Sequence, residues 1–249
     1  MDEKKLTFIE HLGELRRVLI ISFAAIFVGL IIGMIFGDTI DWILRLPLQP
    51  FVKSGHLDDG VFLGLFDPIF YRLKIGLIGG LILATPVIFW QIWWFVAPGL
   101  YSHERRMALP FVLTATLFFL GGVCFCYFIV LPNAAAFSLG QLTKGSRLML
   151  SLPTYLSEAA TFILAFGLVF ETPVVVFLLA WLGVVSPKTM ALYRKWVFLG
   201  SFVVGAILTP TPDVVNQTIM ALPIYLLFEL GLLAGRVVYR KRDATTDPP

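Results

Sequence analysis

Two glutamates occupy matching places in two short stretches of the sequence. Glu14 lies in FIEHLGELRRVLI and Glu104 lies in FVAPGLYSHERR, and each stands just before an arginine pair and an outgoing apolar segment. If both segments are membrane helices, the two carboxylates should lie at the same depth, at one membrane face. Such a pair suits a ligand with two fixed positive charges, and guanidinium groups fit best because they bind carboxylates in a bidentate manner.

Each of these glutamates also has a purely structural interpretation. Glu14 can form an ion pair with Arg17, three positions later on a helix, which is worth about 0.2–0.5 kcal/mol. Glu104 can complement the dipole at the start of the third helix, for about 0.3–1 kcal/mol. From the residues alone, the structural and the ligand-binding interpretations both stay open.

Glu171 lies in AFGLVFETPVVVFLL, near the middle of a predicted membrane helix. An ionised side chain there costs about 2.5–3.5 kcal/mol or more, which favours the protonated carboxyl group. Pro173 removes a backbone donor and frees the carbonyl of Val169, adding a kink and a polar spot. A structural hydrogen bond to another helix and a dynamic role are about equally supported. Glu229, nearer the end of its helix, is expected to snorkel toward Arg236.

Three more residues draw attention on the opposite side of the membrane. The stretch TPTPDVVNQ (209–217) predicts a tight turn between the last two helices, with Asp213 as the N-cap of the last one. Gln217, one turn into that helix, has no such structural explanation. Pro47 is most simply a residue that stiffens an interfacial loop.

The elements that position these residues follow from composition. Of 249 residues, 58% are hydrophobic and 14% are charged, whereas roughly a quarter of the residues in a soluble domain are charged. Most of the surface must therefore face lipid. We predict an all-α, polytopic membrane protein with a single transmembrane domain over 1–249 and six spanning segments, at 18–36, 75–96, 107–131, 159–182, 196–208 and 214–234.

The distribution of basic residues predicts the orientation. Of the 19 Lys and Arg residues, 13 fall on the side of the two termini and 6 on the other, so both termini should be cytoplasmic. The two long connections, 37–74 and 132–158, are then external loops. The fifth segment spans only about 20 Å, and the sixth is apolar only from Ile219 to Phe228, so both are predicted to be short.

Motifs for enzymatic chemistry are missing from the sequence. No H-E-x-x-H stretch, P-loop or Ser-His-Asp grouping occurs, and the three histidines are scattered. We therefore expect no enzymatic activity, no cofactor, no metal and no nucleic-acid partner.

Five ordered motifs resemble the TatC family, the core receptor component of the Sec-independent, twin-arginine protein translocase. The resemblance covers essentially the whole chain. The motifs are F-x-x-H-L-x-E-L-R-x-x-L (8–19), F-x-x-P-G-L-Y-x-x-E-R-R (95–106), F-G-x-x-F-E-x-P-V (166–174), L-T-P-x-P-D-x-x-x-Q (208–217) and A-x-P-x-Y-x-L-F-E (221–229). One departure is the TPTP turn at 209–212, where many relatives have one residue fewer, which affects the placement of Asp213.

The resemblance implies a receptor in the bacterial plasma membrane that recognises the paired arginines of a signal peptide on a folded cargo. It further implies recruitment of the single-helix partners TatA and TatB, a homo-oligomer within the complex, and export driven by the proton-motive force. Carried over by motif, the resemblance implies that Glu14 and Glu104 bind the signal and that Arg16 and Phe95 shape that site. It implies that Glu171 contacts a partner helix or takes part in the translocation step. It also implies roles on the external side for Pro47, Asp213 and Gln217.

Two other functions are alternatives to this one. A proton-coupled secondary transporter could use Glu171, but a single buried carboxylate without paired broken helices argues against it. A structural scaffold in which Glu171 only joins helices is the third alternative. Replacement of Glu171 by Gln separates proton coupling from simple hydrogen bonding.

Overall fold

A computed structural model of the chain describes residues 8–55, 57–58, 60–96, 108–142, 148–208 and 214–246. These residues form helices and two isolated β-bridges, Leu57 with Leu148 and Val61 with Ser151. The all-helical fold class predicted from composition is confirmed for this part of the chain.

The helices are numbered in order along the chain. They are α1 (Phe8–Ile35), α2 (Gly37–Arg45), α3 (Gln49–Lys53), α4 (Asp67–Val96), α5 (Ala108–Phe125), α6 (Leu131–Gly140), α7 (Leu152–Phe170), α8 (Thr172–Trp181), α9 (Pro187–Leu192), α10 (Arg194–Leu208) and α11 (Val214–Thr246). A 3₁₀ turn, Leu46–Leu48, joins α2 to α3, and a π-helical turn, Cys126–Val130, joins α5 to α6.

In the described part of the chain, five stretches of helix are long and apolar enough to cross a membrane. They are Leu12–Ile35, Asp67–Val96, Ala108–Gly140, Leu152–Trp181 and Gln217–Val238. The predicted fifth segment is α10, whose 15 residues extend about 22 Å, less than the roughly 30 Å of the hydrocarbon core. α10 is therefore short, as predicted.

Several predicted boundaries differ from the structure. The last helix is not short, because its apolar stretch Gln217–Val238 has 22 residues. The connection 37–74 contains α2 and α3, and α4 begins at Asp67 rather than at Ile75. The helix that we predicted to end at Leu131 continues to Gly140. Hydropathy alone marks where a helix enters lipid, and it does not mark where the helix itself begins or ends.

The chain forms two compact units, and the first comprises Met1–Leu46, Val61–Leu117 and Ser151–Ser157. Here α1 packs along α4 through two glycine pairs, Gly29 with Gly80 and Gly33 with Gly76. A Cβ atom added to Gly29 or Gly33 would lie 2.5 Å from the carbonyl oxygen of its partner. Membrane helices have no hydrophobic drive toward one another, so this close backbone approach supplies the van der Waals contact between them.

Polar contacts hold α2 against the start of α4 in the same unit. The Asp41 carboxylate accepts two hydrogen bonds from Arg45, at 2.9 and 2.6 Å, and one from the Tyr71 hydroxyl. The buried Tyr155 hydroxyl donates to the carbonyl of Leu44 at 2.7 Å. These bonds satisfy the polar groups where α2 meets its neighbours, which fixes α2 on the unit.

The second unit comprises Pro47–Gly60, Phe118–Leu150 and Glu158–Pro249. Within it, α8, α9 and α10 each pack against α11. Gly231 of α11 meets the backbone of Pro173, and Gly235 meets Ala180, so α8 and α11 run in the same direction. Buried side chains from α8, α9 and α11 form a hydrophobic cluster of Val176, Ala180, Met190, Phe228 and Leu232.

The glycine pairs predict a specific sensitivity to added side-chain volume. Gly80→Val should lower the free energy of unfolding by about 1–3 kcal/mol, because a Cβ atom there overlaps the backbone of Gly29 and Leu30. Gly200→Val on α10 is the matched control, since nothing lies within 4 Å of its added Cβ atom. Thermal unfolding of the purified protein in detergent measures both. Equal losses in the two variants would contradict the proposed packing.

Candidate functional site

The glycine pairs set how the ends of α1 and α4 are aligned. Gly29 faces Gly80, and Gly33 faces Gly76, so the two helices are antiparallel and facing residue numbers add up to 109. Glu14 lies 15 residues before Gly29, and Phe95 lies 15 residues after Gly80, so each is about 22 Å from that contact along its helix. The structure thus brings Glu14 and Phe95 to one level, at the same end of the helix pair.

The surroundings of this end combine charge and apolar surface. Glu14 and Phe95 are half-buried, and Arg16 is exposed. α1 buries little of its surface here, and Leu12, Leu15 and Leu19 are exposed as well. Glu104 lies outside the described residues, so its separation from Glu14 stays a prediction. At this level the structure places the carboxylate of Glu14, the ring of Phe95 and the exposed cations Arg16 and Arg17 near the end of α4.

Glu171 occupies the break between α7 and α8. It is 8% exposed, and its Oε1 atom has no hydrogen-bond partner among the described residues. The backbone of Phe119 on α5 lies within hydrogen-bonding reach of the carboxyl group. The close approach of α5 to α7 at Gly122, where an added Cβ atom would overlap the backbone of Phe166, encloses the break. The carboxyl group is therefore held in an apolar setting, and one of its oxygens has no hydrogen-bond partner among the described residues.

The local sequence explains how the break at Glu171 is tolerated. Pro173 cannot donate a backbone hydrogen bond to the carbonyl of Val169, as we predicted. The hydroxyl of Thr172 donates to that carbonyl instead, at 2.5 Å. The lost bond is replaced locally, as happens at prolines in membrane helices. The freed carbonyl is thus satisfied by Thr172, a role that we did not predict.

A second polar cluster joins α10 to α11. The Arg194 guanidinium donates to Glu229 Oε2 at 2.6 Å, and the Tyr225 hydroxyl donates to Glu229 Oε1 at 3.0 Å. The prediction that Glu229 snorkels toward Arg236 is wrong, because Arg194 on the neighbouring helix is its ion-pair partner. The two residues are 35 positions apart, so helical spacing on α11 alone could not have identified the pair.

The structure describes two of the three residues predicted to matter on the external side. Pro47 is half-buried in the 3₁₀ turn between α2 and α3. Gln217 donates from Nε2 to the carbonyl of Phe202 on α10 at 3.0 Å, which gives it the structural role that the sequence did not reveal. α11 begins at Val214, and Asp213 itself lies outside the described residues.

The polar cluster of Asp41, Arg45 and Tyr71 was not among the predicted features. The spacing of Asp41 and Arg45, four residues apart on a helix, is the signal that could have revealed the ion pair. Tyr71 carries no such signal, since its contact depends on how α2 folds back on α4. Within the described part of the chain, no three His, Cys, Asp or Glu side chains are placed to hold a metal ion.

Comparison with known proteins gives a consistent result. Residues 10–223 match the family described as "Sec-independent protein translocase protein (TatC)". A protein of that name from Desulforapulum autotrophicum is 42% identical over 98% of this chain and 89% of its own length. The namesakes from Aquifex aeolicus and Escherichia coli K12 are 40% and 37% identical, over 94% and 92% of this chain and 96% and 87% of their own lengths.

Solved structures agree with the sequence comparison. A crystal structure described as the twin arginine translocase receptor TatC superimposes with a TM-score of 0.76 at 39% identity, covering 92% of this chain and 99% of that one. A second crystal structure, described as that receptor in DDM, also gives a TM-score of 0.76, at 40% identity over 91% of this chain and 99% of its own.

The ion pair between Arg194 and Glu229 can be tested by a double-mutant cycle. The losses in free energy of unfolding caused by Arg194→Met and by Glu229→Leu should add up to more than the loss in the double variant. Each single change leaves a polar partner unpaired. The side chains are 40% and 21% exposed, so we expect a coupling free energy of about 1–2 kcal/mol. Strictly additive losses would contradict the pairing, and the exposed Lys188→Met, combined with Glu229→Leu, is the additive control.

Proposed function

The chain belongs to the TatC family of Sec-independent protein translocase proteins, and from this premise we propose that it binds the paired arginines of signal peptides at the end of α1 and α4 that carries Glu14. As a family member it is a component of a protein translocase and not an enzyme. The observation that carries the proposal is the antiparallel alignment of α1 and α4, which sets Glu14 level with Phe95.

The second carboxylate of the proposed site comes from the segment that follows α4. Glu104 is eight residues beyond Val96, the last residue of that helix. A short connection after a helix end can return to the same membrane face, where Glu14 lies. In this arrangement Glu14 and Glu104 each bind one signal arginine, Phe95 provides an apolar wall, and the exposed Arg16 shapes the approach.

Charge and geometry together give the proposed site its selectivity. A hydrogen bond between a guanidinium and a carboxylate contributes about 1.5–3 kcal/mol, enough to prefer arginine over uncharged residues. Lysine presents a point charge without the planar fork, so it is disfavoured where binding must be bidentate. The apolar part of the signal would then lie along the exposed apolar side chains of α1.

The distribution of charge supports the proposed orientation. Thirteen of the 19 Lys and Arg residues fall on the side of the termini, which supports a cytoplasmic location for both termini and for the Glu14 end of α1. The long apolar helices and the family membership together support a multi-pass protein of the bacterial plasma membrane, with TatA and TatB as single-helix partners and further copies of the chain in the active complex.

Glu171 is proposed to serve the partner helix or the translocation step. Its support is geometric: a buried carboxyl group with one oxygen that lacks a partner among the described residues, at a break between two helices. That oxygen is buried, so a partner helix with a polar group at this depth would reach it only when the helices around the break move apart. Pro47, Asp213 and Gln217 are proposed to act on the external side, where Gln217 joins α10 to α11.

The signal-binding proposal predicts a clear dependence on both carboxylates. Glu14→Gln and Glu104→Gln should each weaken binding of a twin-arginine signal peptide about tenfold or more, because each removes one charge-assisted hydrogen bond. Site-specific crosslinking of the peptide to the membrane-embedded protein measures this. A twin-lysine peptide should crosslink weakly to the wild type and gain nothing from either substitution.

The matched control for that experiment is a carboxylate in a connection that is predicted to be external. Asp58→Asn, in the connection between α3 and α4, should leave crosslinking unchanged. Equal crosslinking of both peptides to the wild type and to both glutamate variants would overturn the twin-carboxylate site.

Replacement of Glu171 separates the proposed role from the transporter alternative. Glu171→Gln keeps a hydrogen-bonding group at the α7–α8 break but cannot take up or release a proton. If Glu171 only bonds a partner helix, export of a twin-arginine precursor into membrane vesicles should continue at a reduced rate. Complete loss of export with normal signal binding would instead indicate a proton-transfer role.

A further inference from the structure

The start of α10 lies unusually deep beside α11. Arg194, its first residue, pairs with Glu229, which is 12 residues after Gln217 and 9 before Val238, the ends of the apolar stretch of α11. At 1.5 Å per residue, Glu229 is about 18 Å from one end of that stretch and about 14 Å from the other. The beginning of α10 is therefore level with the middle of α11.

Among the described residues at the start of α10, the two adjacent cations Arg194 and Lys195 have one carboxylate, Glu229, as an ion-pair partner. Arg194 donates a hydrogen bond to Glu229 through one terminal nitrogen, and its Nε atom is buried without a partner among the described residues. Lys195, the next residue, is exposed, and its Nζ atom lies 5.8 Å from the ring centre of Trp196. Glu229 can neutralise one of these two charges, so one positive charge remains beside the apolar helix α11.

The residues around Arg194 have the pattern of a membrane–water interface. Tyr193 and Trp196 are 57% and 59% exposed, and aromatic residues next to cations are typical of the level of the lipid head groups. A charge facing hydrocarbon at the depth of the middle of α11 would be strongly unfavourable. A helix of about 22 Å is matched by a locally thinner bilayer. In such a bilayer the lipid head groups lie at the depth of these cations, and the charges do not face hydrocarbon.

We propose that Arg194 and Lys195 bind the phosphate of a phospholipid that is drawn inward beside the short helix α10. The guanidinium presents a planar set of donors that matches phosphate geometry, and although its Nε atom is buried, the Arg194 side chain is 40% exposed. Lys195 supplies a second charge at the surface, and Trp196 packs against the lipid at the level of its glycerol backbone. Because Glu229 cancels only one charge, anionic phospholipids bind better than zwitterionic ones. This site is independent of signal binding.

The experiment uses the full chain, purified in detergent and examined by native mass spectrometry with added phosphatidylglycerol. The wild type should retain a bound lipid, and Lys195→Gln should bind it about fivefold more weakly, as expected for one surface cation near anionic lipid. Lys195 is exposed, so this variant keeps the Arg194–Glu229 pair and should fold normally. Lys188→Gln, which removes an exposed cation from α9 on the same side, is the control and should retain the lipid.

Further arms distinguish the source of the phosphate. Phosphatidylcholine, with the same phosphate but no net charge, should bind more weakly than phosphatidylglycerol, and inorganic phosphate should not displace the lipid. Phosphatidylglycerol should also raise the thermal midpoint of the wild type more than that of Lys195→Gln. Equal lipid retention by Lys195→Gln and the wild type, or displacement of the lipid by inorganic phosphate, would overturn the proposal.

Discussion

The close approach of α1 and α4 at their glycines is the constraint on which the proposed function of this protein depends. α1 is apolar and mostly exposed, so hydrophobicity alone gives it no preferred position in a membrane. Gly29 and Gly33 meet Gly80 and Gly76 backbone to backbone, and only one alignment of the two helices permits both contacts. That alignment carries Glu14 to the level of Phe95, so packing near the middle of the helices determines which side chains share the far end.

A second constraint lies in the other unit, where polar groups share one depth inside the apolar region. Glu171 lies two residues before Pro173, and Glu229 lies two residues before Gly231, which contacts Pro173. The two carboxyl groups are therefore on one level of parallel helices. They differ in partners: Arg194 and Tyr225 satisfy Glu229, whereas one oxygen of Glu171 has no partner among the described residues. At the same depth, one carboxyl group therefore has both oxygens hydrogen-bonded, and the other has a buried oxygen without a partner among the described residues.

Features that a single helix carries in its own sequence were predictable, whereas contacts that depend on a neighbouring helix were not. Apolar length predicted four of the five long helices, because lipid requires every backbone bond to be satisfied within the helix, but it made α11 too short. Pro173 correctly indicated a freed carbonyl at Val169. The partner of Glu229 was missed because nothing on α11 identifies Arg194. The glycine spacing at 29–33 and 76–80 was visible in the sequence, but that these two pairs face each other could be learned only from the fold.

Glu14 and Glu104 must converge closely enough to bind two adjacent arginines, whose Cα atoms are about 3.8 Å apart. The most direct test is the distance between spin labels attached to cysteines at positions 14 and 104, in a variant with Cys124 and Cys126 replaced and reconstituted in lipid. We predict strong dipolar broadening of the electron paramagnetic resonance spectrum, which requires the labels to be neighbours. A spectrum equal to the sum of the two singly labelled proteins would contradict this convergence and, with it, the proposed signal-binding site.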